Sequence, residues 1–284
     1  MTEYALPEQP LRIAVAQAEV VPGDVDANVR TAAELVREAA GQGARVVVFA
    51  EKFLSGYEID LIRSDPHQHA VQAGGDERLA PLRDACRETG TVAVVGAAVH
   101  DGGVLRVSAL VVGPDGRTIA RYDKQTLFKH EQQVYEQGTA GCTLELDGGW
   151  RLGLGICYDS GFPEHARAAA LDGCHAYLVG ALFSVGNGYH ESRIWFPARA
   201  FDNTVYAVLA NHTGTTGGWD ACGSSAVWGP DGRVVAEAGP DEGRLLLADL
   251  DPERLRAARV AEPMLRDLHD TGSVPRGQHR VPTA

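Results

Sequence analysis

The feature that most constrains the fold is a repeated alternation of short apolar runs with segments of helical spacing. The first runs are residues 11–18 (LRIAVAQA) and 45–50 (RVVVFA). Between them, residues 26–40 place Val, Ala and Leu at intervals of three and four, which predicts an amphipathic helix. Gly41 and Gly43 follow it as stop signals. Nearly continuous apolar runs are typical of strands covered on both faces, so the chain predicts a strand–helix–strand unit.

The same alternation continues along the chain and predicts a mixed α/β layered protein. Two Gly-Pro-Asp-Gly turns, at 113–116 and 229–232, have the chemistry of hairpin turns. Because they hold similar places relative to their strand–helix units, we expect two related halves packed sheet to sheet. The other predicted strands are 91–99, 104–112, 117–122, 150–156, 176–181, 205–210 and 244–249. The other predicted helices are 77–88, 162–171, 190–202 and 252–259.

A single domain covering residues 1–284 is expected, because no linker is long or polar enough to separate two domains. Its core is expected at about 11–251. The tail, about 263–284, is rich in His, Arg, Pro and Gly. It is expected either to be disordered or to reach a neighbouring subunit.

Composition and charge indicate which kind of molecule the protein binds and where in the cell it is expected. The net charge of -12 argues against nucleic acid, whose binding needs clustered Lys and Arg. No apolar run reaches the length of a membrane span. The five cysteines lack CxxC spacing, and the N-terminus lacks a signal-peptide layout. We therefore expect a cytoplasmic protein without a metal or another cofactor, acting on a small molecule.

Three chemically capable residues stand at or just after the ends of predicted strands: Glu51, Lys124 and Cys157. Sites in α/β sheets form at the carboxyl ends of strands. Cys157 also precedes a sharp turn into a helix opened by Pro163, a residue suited to the first helical turn. Backbone N–H groups near such a thiol are expected to lower its pKa and to receive an oxyanion. This arrangement resembles a nucleophile elbow with Cys in place of Ser.

Five motifs follow one another along the chain: FAEKFLSGY (49–57), RYDKQTLF (121–128), ICYDSGFPEHAR (156–167), ARAFDN (198–203) with Asn211 beyond it, and GSSAVWGPDG (223–232). These motifs resemble those of the nitrilase superfamily of carbon–nitrogen hydrolases. Their order and spacing hold from about residue 11 to 251.

The resemblance implies a four-layer α-β-β-α sandwich that assembles into homodimers or larger homo-oligomers. It implies Cys157 as nucleophile, Glu51 as general base and Lys124 as stabiliser of the transition state. The backbone N–H of Tyr158 is expected to hold the oxyanion together with Lys124. The implied reaction hydrolyses a non-peptide C–N bond of a small amide through a thioester, releasing ammonia or amine and a carboxylic acid.

A fourth candidate is Glu131, which begins a segment resembling the family's E-x3-aromatic-x2-G pattern. In the family this Glu helps to position the substrate and the Lys. Glu136 lies nearby but breaks that spacing, so it ranks lower.

The branch of the superfamily is indicated by Tyr158 and Asp159, where nitrile-cleaving members usually carry Trp-Glu. The sequence is most similar to ω-amidases and related small-amide hydrolases. An N-carbamoyl amide hydrolase is the second alternative and a nitrilase the third. The chain departs from common family residues around the pocket, at Thr126, Cys174, Gly180 and Asp202.

Candidate substrate contacts lie on predicted loops near the strand ends. If the substrate carries a carboxylate, a His, Arg or backbone N–H group is expected to bind it. The candidates are Tyr57, His130, Phe183, His190 and Trp195.

Three other classes remain open from the sequence. A zinc enzyme would use His67, His69 and His165, without the usual ligand spacing. A Cys–His enzyme would need a His base, for which His212 is the nearest candidate. A degenerate, non-catalytic binding protein would keep the fold and lose the chemistry.

Overall fold

The computed structural model of the chain describes residues 5–241 and 244–268. Most of the predicted tail, 269–284, lies outside the described residues. The first half contains β1 (Leu11–Ala16), α1 (Val25–Gly41), β2 (Val46–Val48), α2 (Ile59–Ser64), α3 (Pro66–His69), β3 (Val71–Gln72), α4 (Ala80–Thr89), β4 (Val92–Asp101), β5 (Val104–Val112) and β6 (Thr118–Asp123). The second half contains β7 (Thr143–Glu145), β8 (Arg151–Ile156), α5 (Pro163–Leu171), β9 (Ala176–Ala181), α6 (Asn187–Asn203), β10 (Tyr206–Asn211), β11 (Thr215–Thr216), β12 (Trp219–Asp220), β13 (Ala226–Trp228), β14 (Val234–Glu237), β15 (Leu245–Leu250) and α7 (Pro252–Ala261).

The two large sheets have the same internal plan. The first has the order β15-β1-β2-β4-β5-β6, with β3 paired to β4, and β1, β2 and β4 are parallel. The second has the order β14-β13-β10-β9-β8-β7, and β8, β9 and β10 are parallel. In each sheet a hairpin closed by a Gly-Pro-Asp-Gly turn pairs antiparallel beside the parallel strands. The structure thus has the two related halves that the sequence predicted.

The sheets pack face to face, with helices on both outer faces. The central apolar cluster contains side chains from both sheets, among them Val48 of β2 and Leu178 of β9. A second cluster joins α1 and α4 to the first sheet, and a third joins α5 and α6 to the second sheet. These layers form the predicted α-β-β-α sandwich.

Helix starts follow local capping chemistry. The Asp24 side chain accepts a hydrogen bond from the Ala27 N–H at 2.9 Å and caps α1. Pro163 and Pro252 occupy the first turns of α5 and α7, where a missing N–H costs little.

Among the described residues, no helix has both the length and the apolar character needed to cross a membrane.

Two glycines let the backbone after β2 lie between the sheets. A Cβ at Gly96 would lie 2.1 Å from the Ala50 carbonyl oxygen, and one at Gly180 would lie 2.4 Å from the Phe49 carbonyl oxygen. No side chain fits at such distances. Gly180, which departs from the family's common Pro, therefore allows β9 to touch the segment that carries Glu51.

Candidate active site

The three predicted catalytic residues come from three strand ends. Glu51 lies in the turn after β2, Lys124 directly follows β6, and Cys157 begins a 3-10 turn after β8. The Glu51 and Lys124 side chains are fully buried, whereas Cys157 is partly buried and lines a cavity. The fold therefore brings the predicted residues into one region between the two sheets.

Lys124 joins two buried carboxylates. Its Nζ donates to Glu51 Oε1 at 2.7 Å and to Glu131 Oε2 at 2.7 Å. Glu131 Oε2 also accepts from the Phe128 N–H at 2.8 Å, and Glu131 Oε1 accepts from the Tyr57 hydroxyl at 2.8 Å. Glu131 is thus held on both oxygens. Glu51 Oε2 has no hydrogen-bond partner among the described residues.

Burial and charge shift the pKa values of this cluster in opposite directions. Burial raises the pKa of Glu51 above its ordinary value, even though the Lys124 ammonium acts to lower it. Burial acts to raise the pKa of Glu131, but Lys124 and Lys52 outweigh it, so that pKa is lowered. Burial acts to lower the pKa of Lys124, but Glu51 and Glu131 leave it well above the ordinary value. The cluster therefore contains a firmly ionised Glu131, a cationic Lys124 and a more basic Glu51.

Cys157 occupies a backbone conformation that is rare for a residue with a side chain, with φ at 44°. The Ser160 hydroxyl donates to the Cys157 carbonyl oxygen at 2.6 Å and braces the turn. Burial raises the pKa of the Cys157 thiol, and the negative charge of Glu51 acts in the same direction. The expectation of a lowered thiol pKa is therefore not met in the resting site, because burial dominates over the turn.

Asp159 fixes this turn to the loop that carries Lys124. Its Oδ2 accepts from the Ile156 N–H at 3.0 Å and from the Tyr122 hydroxyl at 2.7 Å, while Oδ1 accepts from the Thr126 N–H at 2.8 Å. Thr126, a departure from the family pattern, takes part here through its backbone. Asp159 therefore holds the turn that carries Cys157 and the loop that carries Lys124 in a fixed relation.

A cavity of about 990 Å³ opens onto Cys157. Of the predicted substrate contacts, Tyr57, His130, Phe183 and Trp195 line it, and so does Tyr158. His190 is exposed on α6 and does not belong to the lining.

The chain matches the carbon–nitrogen hydrolase family over residues 12–260. The chain belongs to this family. A protein named nitrilase from Pyrococcus abyssi is 34% identical over 245 residues, covering 86% of this chain and 89% of the relative. An omega-amidase from Danio rerio is 32% identical and covers 94% of this chain and 99% of its own length.

Solved structures agree with this assignment. Nit3 of Saccharomyces cerevisiae, from branch 10 of the nitrilase superfamily, superposes with a TM-score of 0.83 at 28% identity, covering 92% of this chain and 97% of its own. A mutant amidase from Nesterenkonia sp. AN1 in complex with butyramide superposes with a TM-score of 0.77 at 30% identity, covering 88% and 95%. Another mutant of that amidase shows covalent addition of the acetamide moiety of fluoroacetamide at its active site cysteine. The predicted superfamily, the fold and a cysteine-dependent carbon–nitrogen hydrolase of the amidase kind are confirmed.

The histidines that a zinc enzyme would use make other contacts in this carbon–nitrogen hydrolase. His165 Nε2 and Nδ1 lie 2.7 Å and 2.8 Å from the Tyr122 and Tyr177 hydroxyls. His67 and His69 lie on α3, and His69 Nδ1 lies 2.8 Å from the Gly23 carbonyl oxygen. Across residues 5–241 and 244–268, no group of three His, Cys, Asp or Glu side chains could hold a metal ion.

The structure also shows the positions of His212, the alternative candidate for the base, and of Glu136, the alternative to Glu131. His212 Nε2 lies 2.6 Å from the Glu51 backbone carbonyl oxygen, so this ring supports the Glu51 turn. Glu136 is exposed and lies 3.3 Å from the Arg106 guanidinium, away from the cluster that contains Glu131.

Sequence reasoning missed Lys52 in this hydrolase. Its side chain is fully buried, and its Nζ lies 3.1 Å from Glu131 Oε1. The available signal was its position next to Glu51, but a Lys in a turn after a strand is usually exposed. Sequence reasoning also made no prediction for α2, whose Leu61 and Arg63 line the cavity.

Proposed function

We propose that this carbon–nitrogen hydrolase cleaves small amides with Cys157 as nucleophile, Glu51 as general base and Lys124 as oxyanion stabiliser. The observation that carries the proposal is the buried Glu51–Lys124–Glu131 cluster beside a cysteine on the cavity wall. The amidase names and the butyramide complex among its relatives support an amide as substrate.

In the first step, the Cys157 Sγ–H bond breaks as sulfur attacks the amide carbon, and Glu51 takes the proton. Glu51 Oε2 suits this role because it has no hydrogen-bond partner among the described residues. A raised pKa makes Glu51 a stronger base than an ordinary carboxylate. The thiol is neutral at rest, so the proton transfer accompanies the attack.

The tetrahedral intermediate carries a negative oxygen that needs fixed donors. Lys124 supplies a cation, and the Tyr158 N–H supplies a backbone donor at the start of a 3-10 turn, where early N–H groups lack partners within the turn. One such donor contributes on the order of 10²–10³ in rate. The C–N bond then breaks, and the nitrogen leaves with the proton held by Glu51.

In the second step, Glu51 removes a proton from water, and the hydroxide attacks the thioester carbon. The C–S bond breaks and releases the carboxylic acid, and Glu51 returns its proton to the Cys157 sulfur, which restores the thiol and the ionised carboxylate. Glu131 is saturated on both oxygens, so its proposed role is to position Lys124 and the Tyr57 hydroxyl.

The lining of the cavity bears on the substrate class. Its wall combines the aromatic side chains of Phe183 and Trp195 with side chains of both charges, the basic Arg63 and Lys129 and the acidic Glu58, Asp60, Glu131 and Glu191. A short aliphatic amide that carries a second, anionic group would find an apolar surface there, with Arg63 and Lys129 as the side chains of opposite charge. We therefore propose a monoamide of a small dicarboxylic acid as the preferred substrate.

The test is ammonia release from a panel of aliphatic amides, dicarboxylate monoamides, N-carbamoyl amino acids and nitriles. Cys157→Ala should abolish release, whereas the matched control Cys142→Ala, at a partly buried cysteine outside the cavity lining, should retain it. Equal activity of Cys157→Ala and wild type would refute the thiol mechanism. Failure of the unmutated enzyme on the whole panel would refute the proposed substrate class.

We further infer one catalytic domain, since the central apolar cluster takes side chains from both sheets. A homodimer or larger assembly is proposed from the exposed apolar side chains Ile194 and Phe201 on α6. Size-exclusion chromatography with light scattering tests the proposed assembly, and the mass of a monomer would refute it.

A cytoplasmic location is proposed because all five cysteines are free thiols.

A further inference from the structure

Lys52 is a second buried cation of the site, to which the mechanism above assigns no role. Its Nζ lies 3.1 Å from Glu131 Oε1, 3.5 Å from the Tyr57 ring centre and 4.7 Å from the Tyr135 ring centre. Burial lowers the pKa of Lys52 below its ordinary value, although Glu131 and Glu51 act to raise it. The ion pair and the aromatic face favour the charged ammonium.

The cluster balances its charge only when Lys52 is counted. Glu51 and Glu131 contribute two negative charges, whereas Lys124 alone supplies one positive charge to both. Two buried carboxylates that share one cation cannot both ionise easily, and one of them tends to keep a proton. Lys52 contributes the second positive charge on the side of Glu131 that faces away from Lys124.

We propose that Lys52 is a positioning residue that keeps Glu131 ionised, so that the proton released by Cys157 goes to Glu51. This inference rests on the proposed function. In the proposed step, the Cys157 Sγ–H bond breaks and an O–H bond forms on Glu51, while Glu131 keeps its four contacts and its charge.

The charged and titratable side chains around Glu51 and Lys52 come from several elements. The positive charge of Lys52 acts to lower the pKa of both Glu51 and Glu131. Removing it should therefore raise the pKa of Glu51, which must be ionised to accept the proton. The facing groups are Lys124 after β6, Glu131 and Tyr135 in segment 129–135, Tyr57 after β2, Cys157 after β8 and His212 after β10.

The experiment compares the pH profile of kcat/KM in wild type and Lys52→Met, using the best amide of the panel. The acid limb of Lys52→Met should move to higher pH by about one unit, as expected when an opposite charge is removed near a carboxyl group. Arg117→Met is the matched control, because Arg117 is an exposed cation at the tip of the β5–β6 hairpin, outside the cavity lining and the cluster. Its acid limb should not move.

A charge-compensated double variant separates this role from simple packing. In Lys52→Met/Glu131→Gln, one cation and one anion are removed together, so the acid limb should return toward the wild-type position. An unmoved limb in Lys52→Met would overturn the proposal, and so would a shifted limb that the double variant does not restore. If Lys52→Met fails to unfold cooperatively, Lys52→Gln supplies the neutral comparison.

A second readout does not depend on turnover. The rate of Cys157 alkylation by iodoacetamide, followed by intact mass against pH, should show the same upward shift in Lys52→Met. An identical alkylation profile in wild type and variant would overturn the role of Lys52. Absence of amide hydrolysis by wild type would refute the proposed function, while the alkylation profile would still decide the role of Lys52.

Discussion

His212 should make this hydrolase sensitive to acid without serving as its catalytic base. The ring is fully buried, and its Nε2 lies 2.6 Å from the Glu51 carbonyl oxygen, which fits a neutral ring that donates from Nε2. Burial lowers the pKa of His212 to about 4, and the positive charge of Lys52 adds to that shift. The perturbation is His212→Asn, which removes the titratable ring and keeps a donor.

The magnitude follows from the difference between the folded and unfolded pKa values. The unfolded chain protonates His212 near the ordinary histidine pKa of 6.5, whereas the folded chain does so near a pKa of about 4. As the pH falls below 6.5, the unfolded state binds more protons, so stability falls with pH. The loss from this group is about 2 kcal/mol between about pH 7 and about pH 5, and about 3 kcal/mol by about pH 4.

The assay is urea unfolding of wild type and His212→Asn across that pH range. Burial also lowers the pKa of His175 to about 4, but His175 is present in both proteins and cancels in the comparison. The difference in unfolding free energy between the two proteins should therefore change by about 2 kcal/mol between about pH 7 and about pH 5. Parallel losses in both proteins would refute the assignment of the acid sensitivity to His212.

The same variant tests the identity of the base. If Glu51 is the base, His212→Asn should retain amide hydrolysis within about tenfold of wild type near neutral pH. A loss as deep as that of Cys157→Ala would assign the base to His212 and support a Cys–His mechanism.

Three further variants probe the base, the nucleophile turn and the sheet contact. Glu51→Gln should lower kcat by about 10²–10⁴, measured as steady-state ammonia release, and an unchanged kcat would remove Glu51 from the proton transfer. Asp159→Asn leaves one of two backbone N–H donors without its acceptor and should destabilise the fold by about 1–3 kcal/mol in urea unfolding. The control Asp84→Asn, at a carboxylate on α4 whose side chain is 48% exposed, should change stability by less than about 0.5 kcal/mol, and equal effects of both would contradict the bracing role. Gly96→Ala places a Cβ against the Ala50 carbonyl and should lower stability by about 1–3 kcal/mol or more, whereas a neutral effect would show that the turn can move away.

The parts of the fold that could be predicted from sequence are those with regular apolar periodicity. The strand predicted at 104–112 is β5 with the same bounds, and the helix predicted at 26–40 is α1 extended by one residue at each end. The helix predicted at 77–88 begins as a 3-10 turn, Glu77–Leu79, before α4. No prediction covered α2 and α3, because segment 59–69 is too short and too interrupted by Pro66 to show periodicity.

The residues of the candidate site likewise include some that the sequence predicted and some that it could not. Glu51, Lys124, Glu131 and Cys157 were predicted from motifs, and the structure brings them together. The predicted contact His190 lies on α6, exposed and outside the cavity lining, because a position near a strand end does not show which way a side chain faces. Lys52 could not be assigned from sequence, since its burial depends on Tyr57, Tyr135 and Glu131 arriving from separate segments.

The hydrogen bonds of the two site carboxylates support Glu51, rather than Glu131, as the proposed acceptor of the proton. Both oxygens of Glu131 and Oε1 of Glu51 have partners, whereas Glu51 Oε2 has none among the described residues. A buried acceptor without a partner costs about 1–3 kcal/mol, so such an atom is rare unless a ligand or a proton completes it. The resting site is therefore complete at Glu131 and incomplete at Glu51. In the proposed mechanism, transfer of the Cys157 proton completes Glu51 while the negative charge moves to the substrate oxygen, where Lys124 receives it.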